Sequence, residues 1–262
     1  MKKALLTGIN DYKGEDSDLR GCINDVRNLS KMFCDMAFDV HTLTNSEVTK
    51  KGFTEQVKDL LLSGTPGDEL VISYSGHGTQ VPDFSGDEAD NFDEALYLYD
   101  GPLIDDELQR LLAYKPEGVY LTLIMDCCFS GTNTRSIQKK PRFLPYMNVG
   151  IDENGNLTRK RRKRNIFRSA GMDHVVITGC AEQQTSADAY LNGQYNGALT
   201  YYAVKSFTKG MTYSQWYKEI RRHLPSRYFD QIPQLEGRQD LFQRGAFGLP
   251  ATYTKKCFLK FW

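Results

Sequence analysis

Two short stretches dictate most of what this chain can fold into. Leu70–Ser75 and Val119–Met125 are nearly unbroken apolar runs, too short to cross a bilayer. Runs of this length and composition read as strands buried on both faces, the hallmark of a parallel sheet. The first leads directly into Gly76-His77-Gly78 and the second into Asp126-Cys127-Cys128. In open parallel sheets, ligands sit beyond the carboxyl ends of the strands. If these two strands are neighbours, an imidazole and a thiol emerge on the same edge.

The rest of the pattern supports such a sheet. Lys3–Thr7, Val40–Leu43 and His174–Thr178 read as further strands. Helices are expected at Asn24–Met36, with Val26, Leu29, Met32 and Phe33 on one face, and at Thr54–Leu62, closed by Ser63-Gly64. Asp105–Leu112, Ala198–Phe207 and Tyr213–Leu224 complete the set. The alternation predicts an α/β fold, a mostly parallel central sheet with helices on both faces. The 262 residues suit one such domain. Three segments are expected within it: 1–131, a basic connection at 132–168, and 169–262. The connection is polar, carries Pro141, Pro145 and an Asn154-Gly155 turn, and reads as long and irregular.

Composition narrows the function classes. Lys+Arg and Asp+Glu both number 33, so net charge draws the chain to neither nucleic acid nor membrane. The N-terminal MKKALLTGIND meets Gly8, Asn10 and Asp11 too early for a signal-peptide core, so a soluble, cytoplasmic protein is expected. Most of Cys22, Cys34, Cys127, Cys128, Cys180 and Cys257 are expected as free thiols, and without CxxC spacing they do not read as a zinc site.

A cysteine nucleophile requires a thiolate, which a nearby imidazole can generate. Gly76 and Gly78 leave room for a substrate backbone beside His77, and Gly78 could offer its N–H to an oxyanion. A lone histidine is usually structural, and a buried cysteine is usually a small apolar filler. Placement after two buried strands argues for chemistry instead. The residues alone do not choose between Cys127 and Cys128.

SYSGHGTQVPDFSGDEADNFDEALYLYD followed by DCCFSGT resembles the metacaspases and their bacterial relatives, the orthocaspases, which are caspase-like cysteine peptidases with a caspase-type sandwich fold. GCINDV (21–26), CAEQQTSADAY (180–190), NGALTYYAV (196–204) and PQLEG (233–237) extend the resemblance over nearly the whole chain. It implies that Cys128 is the nucleophile, with Cys127 in a variable position and His77 as general base. It implies an oxyanion hole from the backbone N–H groups of Gly78 and Cys128, and a specificity pocket lined by Asp25 and Asp126. Two carboxylates in an enclosed site repel unless a cation lies between them, and a substrate Arg or Lys supplies one. Cleavage after Arg or Lys is therefore expected. Phe129 stands where the family usually has His, but that residue is not the base.

No cofactor is required on this reading. The acidic stretch Asp83, Asp87, Glu88, Asp90, Asp93, Glu94 and the pair Asp105-Asp106 are calcium candidates by resemblance, with Asp90, Asp93, Asp105 and Asp106 foremost. A solvated loop is the preferred reading, because Arg135 falls where a further ligand is needed. The run Arg159, Lys160, Arg161, Arg162, Lys163, Arg164 offers basic cleavage sites in the connection, so self-processing there is expected. Partners are then protein or peptide substrates with Arg or Lys before the cut bond, together with an activating partner or small ligand. No membrane and no nucleic acid are expected, and the family implies a monomer. The compact layout resembles bacterial caspase-like effectors of cell death and defence. The competing classes are a catalytically weak binding or scaffold module and a nucleic-acid binder using the basic run.

Overall fold

The structure, a computed structural model, describes residues 1–14, 17–82, 92–129, 139–144, 172–181, 184 and 186–252. The first part of the chain forms β1 (Lys2–Gly8), α1 (Cys22–Cys34), β2 (Asp39–Thr44), α2 (Lys50–Leu62), β3 (Glu69–Ser75), β4 (Gly78–Pro82), β5 (Phe92–Leu98), β6 (Gly101–Ile104), α3 (Asp105–Leu112) and β7 (Tyr120–Asp126). The remainder forms β8 (Lys139–Pro141), β9 (Val175–Thr178), β10 (Ala187–Leu191), β11 (Gln194–Gly197), α4 (Ala198–Ser206), α5 (Tyr213–Ile220) and β12 (Gln234–Gly237).

The central sheet has the order β12-β9-β7-β3-β1-β2. Every neighbouring pair is parallel except β12 with β9. Alternate residues of each strand point to opposite faces, and both faces are apolar. Leu5, Leu70, Ile72, Leu123, Met125 and Val176 enter one core with Phe53, Val57 and Leu61 of α2 and Leu108 and Leu111 of α3. Leu6, Val71, Ile124, Val175 and Ile177 enter the other with Val26, Leu29 and Phe33 of α1 and with Leu199 and Trp216 of α4 and α5. A strand needed by two cores carries no polar face, which is why 70–75 and 119–125 read as solid apolar runs.

From β1 the chain moves outward to β2, then crosses back past β1 to β3 and β7. The reversal of direction opens a crevice at the carboxyl edge, where the residues after β1, β3 and β7 gather. The amino edge is closed differently. Glu69, at the start of β3, pairs with Arg244, whose guanidinium lies 3.6 Å from the centroid of the Tyr120 ring.

Two small antiparallel sheets, β4-β5-β6 and β11-β10-β8, flank the central one. Their strands were not evident in the sequence. The second changes the expectation for 132–168, since β8 lies inside that connection and pairs with β10. Among the described residues, no helix is long and apolar enough to cross a membrane.

Candidate active site

The register between β3 and β7 pairs Ser75 with Asp126, the last residue of each strand. His77 and Cys128 each lie two residues further on, so the two loops leave the sheet side by side. They touch closely. A Cβ on Gly78 would collide with the carbonyl of Cys128, so no other residue fits there.

His77 is buried and firmly oriented. Its backbone N–H donates to Tyr12 Oη at 2.8 Å, and the Tyr12 ring packs 4.8 Å from the imidazole. Its Nε2 lies 2.7 Å from the carbonyl oxygen of Ser17. A carbonyl only accepts, so the proton belongs on Nε2 and Nδ1 carries the lone pair. Nδ1 is buried without a hydrogen-bond partner. Burial pushes the imidazole down to about 4, against the opposing pull of the Ser17 carbonyl, so the ring is neutral at physiological pH.

Cys128 is also buried. Its Sγ accepts from the backbone N–H of Ser186 and lies 3.3 Å from the Sγ of Cys180. Burial pushes this thiol well above its ordinary range; the neighbouring Cys180 thiol adds to the rise, while the Ser186 N–H opposes it. Among the described residues, no hydrogen bond joins His77 to Cys128.

Asp25 sits in the first turn of α1 and Asp126 ends β7, and the fold brings them together around one cation, Arg142. Arg142 Nη2 lies 2.7 Å from Asp25 Oδ2 and 3.0 Å from Asp188 Oδ1, and Nη1 lies 3.4 Å from Asp126 Oδ1. The guanidinium also donates to Ser75 Oγ at 2.6 Å and to the carbonyl of Asp126 at 3.1 Å. Arg142 is fully buried, as are its three carboxylates or nearly so.

Each carboxylate has donors of its own. Gly197 N–H, at the start of α4, donates to Asp25 Oδ1 at 2.9 Å. Thr200 N–H and Oγ1, one turn further on, both reach Asp126 Oδ2 at 2.8 Å. The amino terminus of α4, which has no side-chain cap of its own, is thus capped by the pocket acids. Asp188 receives the N–H groups of Arg20 and Gly21, each at 2.9 Å. Three acids still face one base. Burial, more than Arg142 can offset, raises Asp25 to about 7.

The backbone of Arg142 is held as tightly as its side chain. Its carbonyl oxygen accepts from Gly78 N–H at 3.0 Å and from Cys128 N–H at 3.2 Å. Its N–H donates to Ser186 O at 3.0 Å, and Leu144 N–H donates to Gly78 O at 3.0 Å. The preceding residues lie antiparallel on β10, with Pro141 opposite Ala187 and Lys140 opposite Asp188. The chain around Arg142 is therefore bound as an extended strand, with one side chain in an acidic pocket and one carbonyl on two converging N–H groups.

Sequence reasoning missed Asp188, Ser75, Arg142 and Cys180 as members of this site. Asp188 and Cys180 stood in CAEQQTSADAY and Ser75 in SYSGHG, so their signal was the motif itself. Arg142 had no signal, since one basic residue in a basic connection looks like any other. Of the calcium candidates, those described lie on adjoining elements, since Ala95 of β5 pairs with Ile104, the residue before Asp105. Asp93 lies in β5 and Asp105-Asp106 begin α3, while Asp90 falls outside the described residues. Among the described residues, no three His, Cys, Asp or Glu side chains are grouped to hold a metal ion. Arg159, Lys160, Arg161, Arg162, Lys163 and Arg164 also fall outside them.

A central parallel sheet that carries histidine and cysteine at adjacent strand ends, above a pocket of acids, is a caspase-type architecture. The family profile described as Caspase domain matches residues 1–242. The chain belongs to this family, among the metacaspases. It is 33% identical to Metacaspase-1 of Coccidioides immitis, covering 89% of this chain and 61% of that protein. Metacaspase-1 of Schizosaccharomyces pombe is 31% identical, at 89% and 66% coverage, and that of Emericella nidulans 33% identical, at 92% and 71%. The chain thus spans less than two thirds of the length of the first two of these relatives. The crystal structure of protein GSU0716 from Geobacter sulfurreducens superposes with a TM-score of 0.71 at 26% identity, covering 95% of this chain and 99% of that one.

Proposed function

We propose that the protein is a cysteine endopeptidase that cuts after Arg or Lys, and that the first bond it cuts is its own Arg142–Phe143. One observation carries this reading. Arg142 places its guanidinium among Asp25, Asp126 and Asp188 while its carbonyl oxygen accepts from Gly78 and Cys128. A residue held at both ends in this way is presented as a substrate is, with the side chain read by charge and the carbonyl polarised by paired donors.

The chemistry follows from the positions. Cys128 Sγ attacks the carbonyl carbon after the basic residue, and the oxygen gathers charge against the two N–H groups already pointing at it. His77 takes the thiol proton at Nδ1, the nitrogen left free by the Ser17 carbonyl, and passes it to the leaving amine. Water then hydrolyses the thioester. In the state described, thiol and imidazole are both neutral and not yet paired, as suits a latent enzyme whose cleft is filled by its own chain. Departure of the filling strand would hydrate the cleft and ease both shifts.

The test is the position of the cut. Wild type and Cys128→Ala are incubated side by side and new amino termini are sequenced. A terminus at Phe143 in wild type alone is expected. A terminus within 160–165 would move self-processing to the basic run, and equal nicking of Cys128→Ala would refute self-processing. A peptide library offered to the same enzyme should give cleavage after Arg and Lys; cleavage after Asp would overturn the pocket.

A further inference from the structure

The thiol of Cys180 lies 3.3 Å from that of Cys128, and the activity proposed above makes no use of it. Its position is built into the sheet. β9 is the parallel neighbour of β7, with Thr178 opposite Met125, and Gly179 N–H donates to Met125 O at 2.9 Å. The chain leaving β9 is thereby laid against the chain leaving β7, and Cys180 Sγ also reaches the carbonyl of Cys127 at 3.7 Å. A disulfide needs sulfurs about 2.05 Å apart, so closure asks for a shift of roughly 1.3 Å. The two thiols differ in access. Cys128 is fully buried, whereas Cys180 is partly exposed.

We infer that Cys128 and Cys180 form a reversible disulfide under hydrogen peroxide, taking the proposed nucleophile out of use and sparing it deeper oxidation. The inference rests on Cys128 being that nucleophile for its effect on activity, but not for the bond itself. Peroxide reaches Cys180 first. Its sulfur attacks one peroxide oxygen, the O–O bond breaks, and the products are a sulfenic acid and one molecule of water. Cys128 then attacks the sulfenic sulfur. The S–S bond forms, the S–O bond breaks, and the hydroxyl leaves with the Cys128 proton as a second water. Each sulfur gives up one electron and the peroxide takes two. A dithiol reverses the bond by exchange.

Hydrogen peroxide and dithiothreitol are the probes, applied to the whole chain. After peroxide, free thiols are alkylated and the protein is digested and weighed, and activity on an Arg-ending peptide is read before and after dithiothreitol. Wild type is expected to show a peptide pair joined through Cys128 and Cys180, lighter by two hydrogens, and to regain its activity on reduction. Cys180→Ser should instead carry Cys128 to sulfinic or sulfonic acid and regain at least about fivefold less of its own starting activity, since those states resist thiols. Cys180→Ala serves if the serine variant does not fold. Cys34, exposed on α1, reports general oxidation in every sample. Absence of the joined pair in wild type would overturn the inference, as would its loss in Cys127→Ala or recovery of the Cys180 variants equal to wild type. A joined pair in a protein that cuts no Arg peptide would leave the bond standing and sink the peptidase reading instead.

Discussion

Each edge of the central sheet holds an arginine against acid, and the two edges treat it in opposite ways. At the amino edge, Arg244 meets one carboxylate, Glu69, and covers the Tyr120 ring, with part of its side chain in solvent. One charge answers one charge, and the pair staples the C-terminal region to β3. At the carboxyl edge, Arg142 is wholly buried among three carboxylates. No ordinary staple needs three acids for one base. An excess of buried negative charge costs stability, a cost expected of a site that, as proposed, takes cations in turn. On the proposed reading, charge balance, more than the presence of an ion pair, separates the structural contact from the binding one.

The sharpest way to break this comparison is to set Cys128→Ala against Arg244→Ala. Cys128→Ala should lower kcat/KM on Arg peptides by on the order of a thousandfold or more while leaving urea unfolding almost unchanged. Arg244→Ala should do the reverse, with a stability loss of about 2–4 kcal/mol from the stranded Glu69 and kcat/KM within about twofold for the folded protein. A folded Arg244→Ala enzyme with crippled kcat/KM would end the distinction between the edges.

Asp188 offers the next largest effect, because it was found through geometry. Asp188→Asn should cut kcat/KM for Arg peptides by roughly thirtyfold or more, as expected for losing one partner of a buried charge pair. Cleavage at an unchanged rate would reduce Asp188 to a cap for the backbone of Arg20 and Gly21.

The smallest effect is a pH dependence. Asp25 has a folded pKa of about 7 against 3.8 for an unperturbed carboxyl. The folded state therefore holds a proton that the unfolded state releases between about pH 4 and 7, and Asp25 lowers stability as pH rises through that window. Asp25→Asn should remove this part of the slope in urea unfolding at pH 5 and pH 8. Arg142→Ala, which takes away the cation, should be more destabilising at pH 8 than at pH 5, by roughly 1–2 kcal/mol. A pH-independent cost for Arg142→Ala would mean that its packing matters more than its charge.

The contrast between the edges also explains what the sequence made legible. Strands buried on both sides must be apolar throughout, so β3 and β7 announced themselves, and His77 and Cys128 followed as the residues at their ends. Asp25 and Asp126 were readable through motifs around those strands. The edge sheets were not. β10 and β11 are short, and β8 is three residues of Lys, Lys and Pro whose strand character comes entirely from pairing with β10. Local propensity carries no trace of a partner far away in sequence. Arg142 was hidden for the same reason, since its significance lies in where Asp25, Asp126 and Asp188 wait for it.

The strand that seats Arg142 has a kinetic consequence. On the proposed reading it is a ligand tied to its own receptor, present at an effective concentration on the order of millimolar however dilute the protein. An outside peptide of micromolar affinity would compete against it at a disadvantage of about a thousandfold. Dilution cannot remove such a rival and excess substrate scarcely can, and the proposed cut after Arg142 would leave β8 joined to β7 through the intervening chain while freeing it from Phe143 onward. On the proposed reading, the delay before outside peptides are cut is set by how long β8 stays paired to β10.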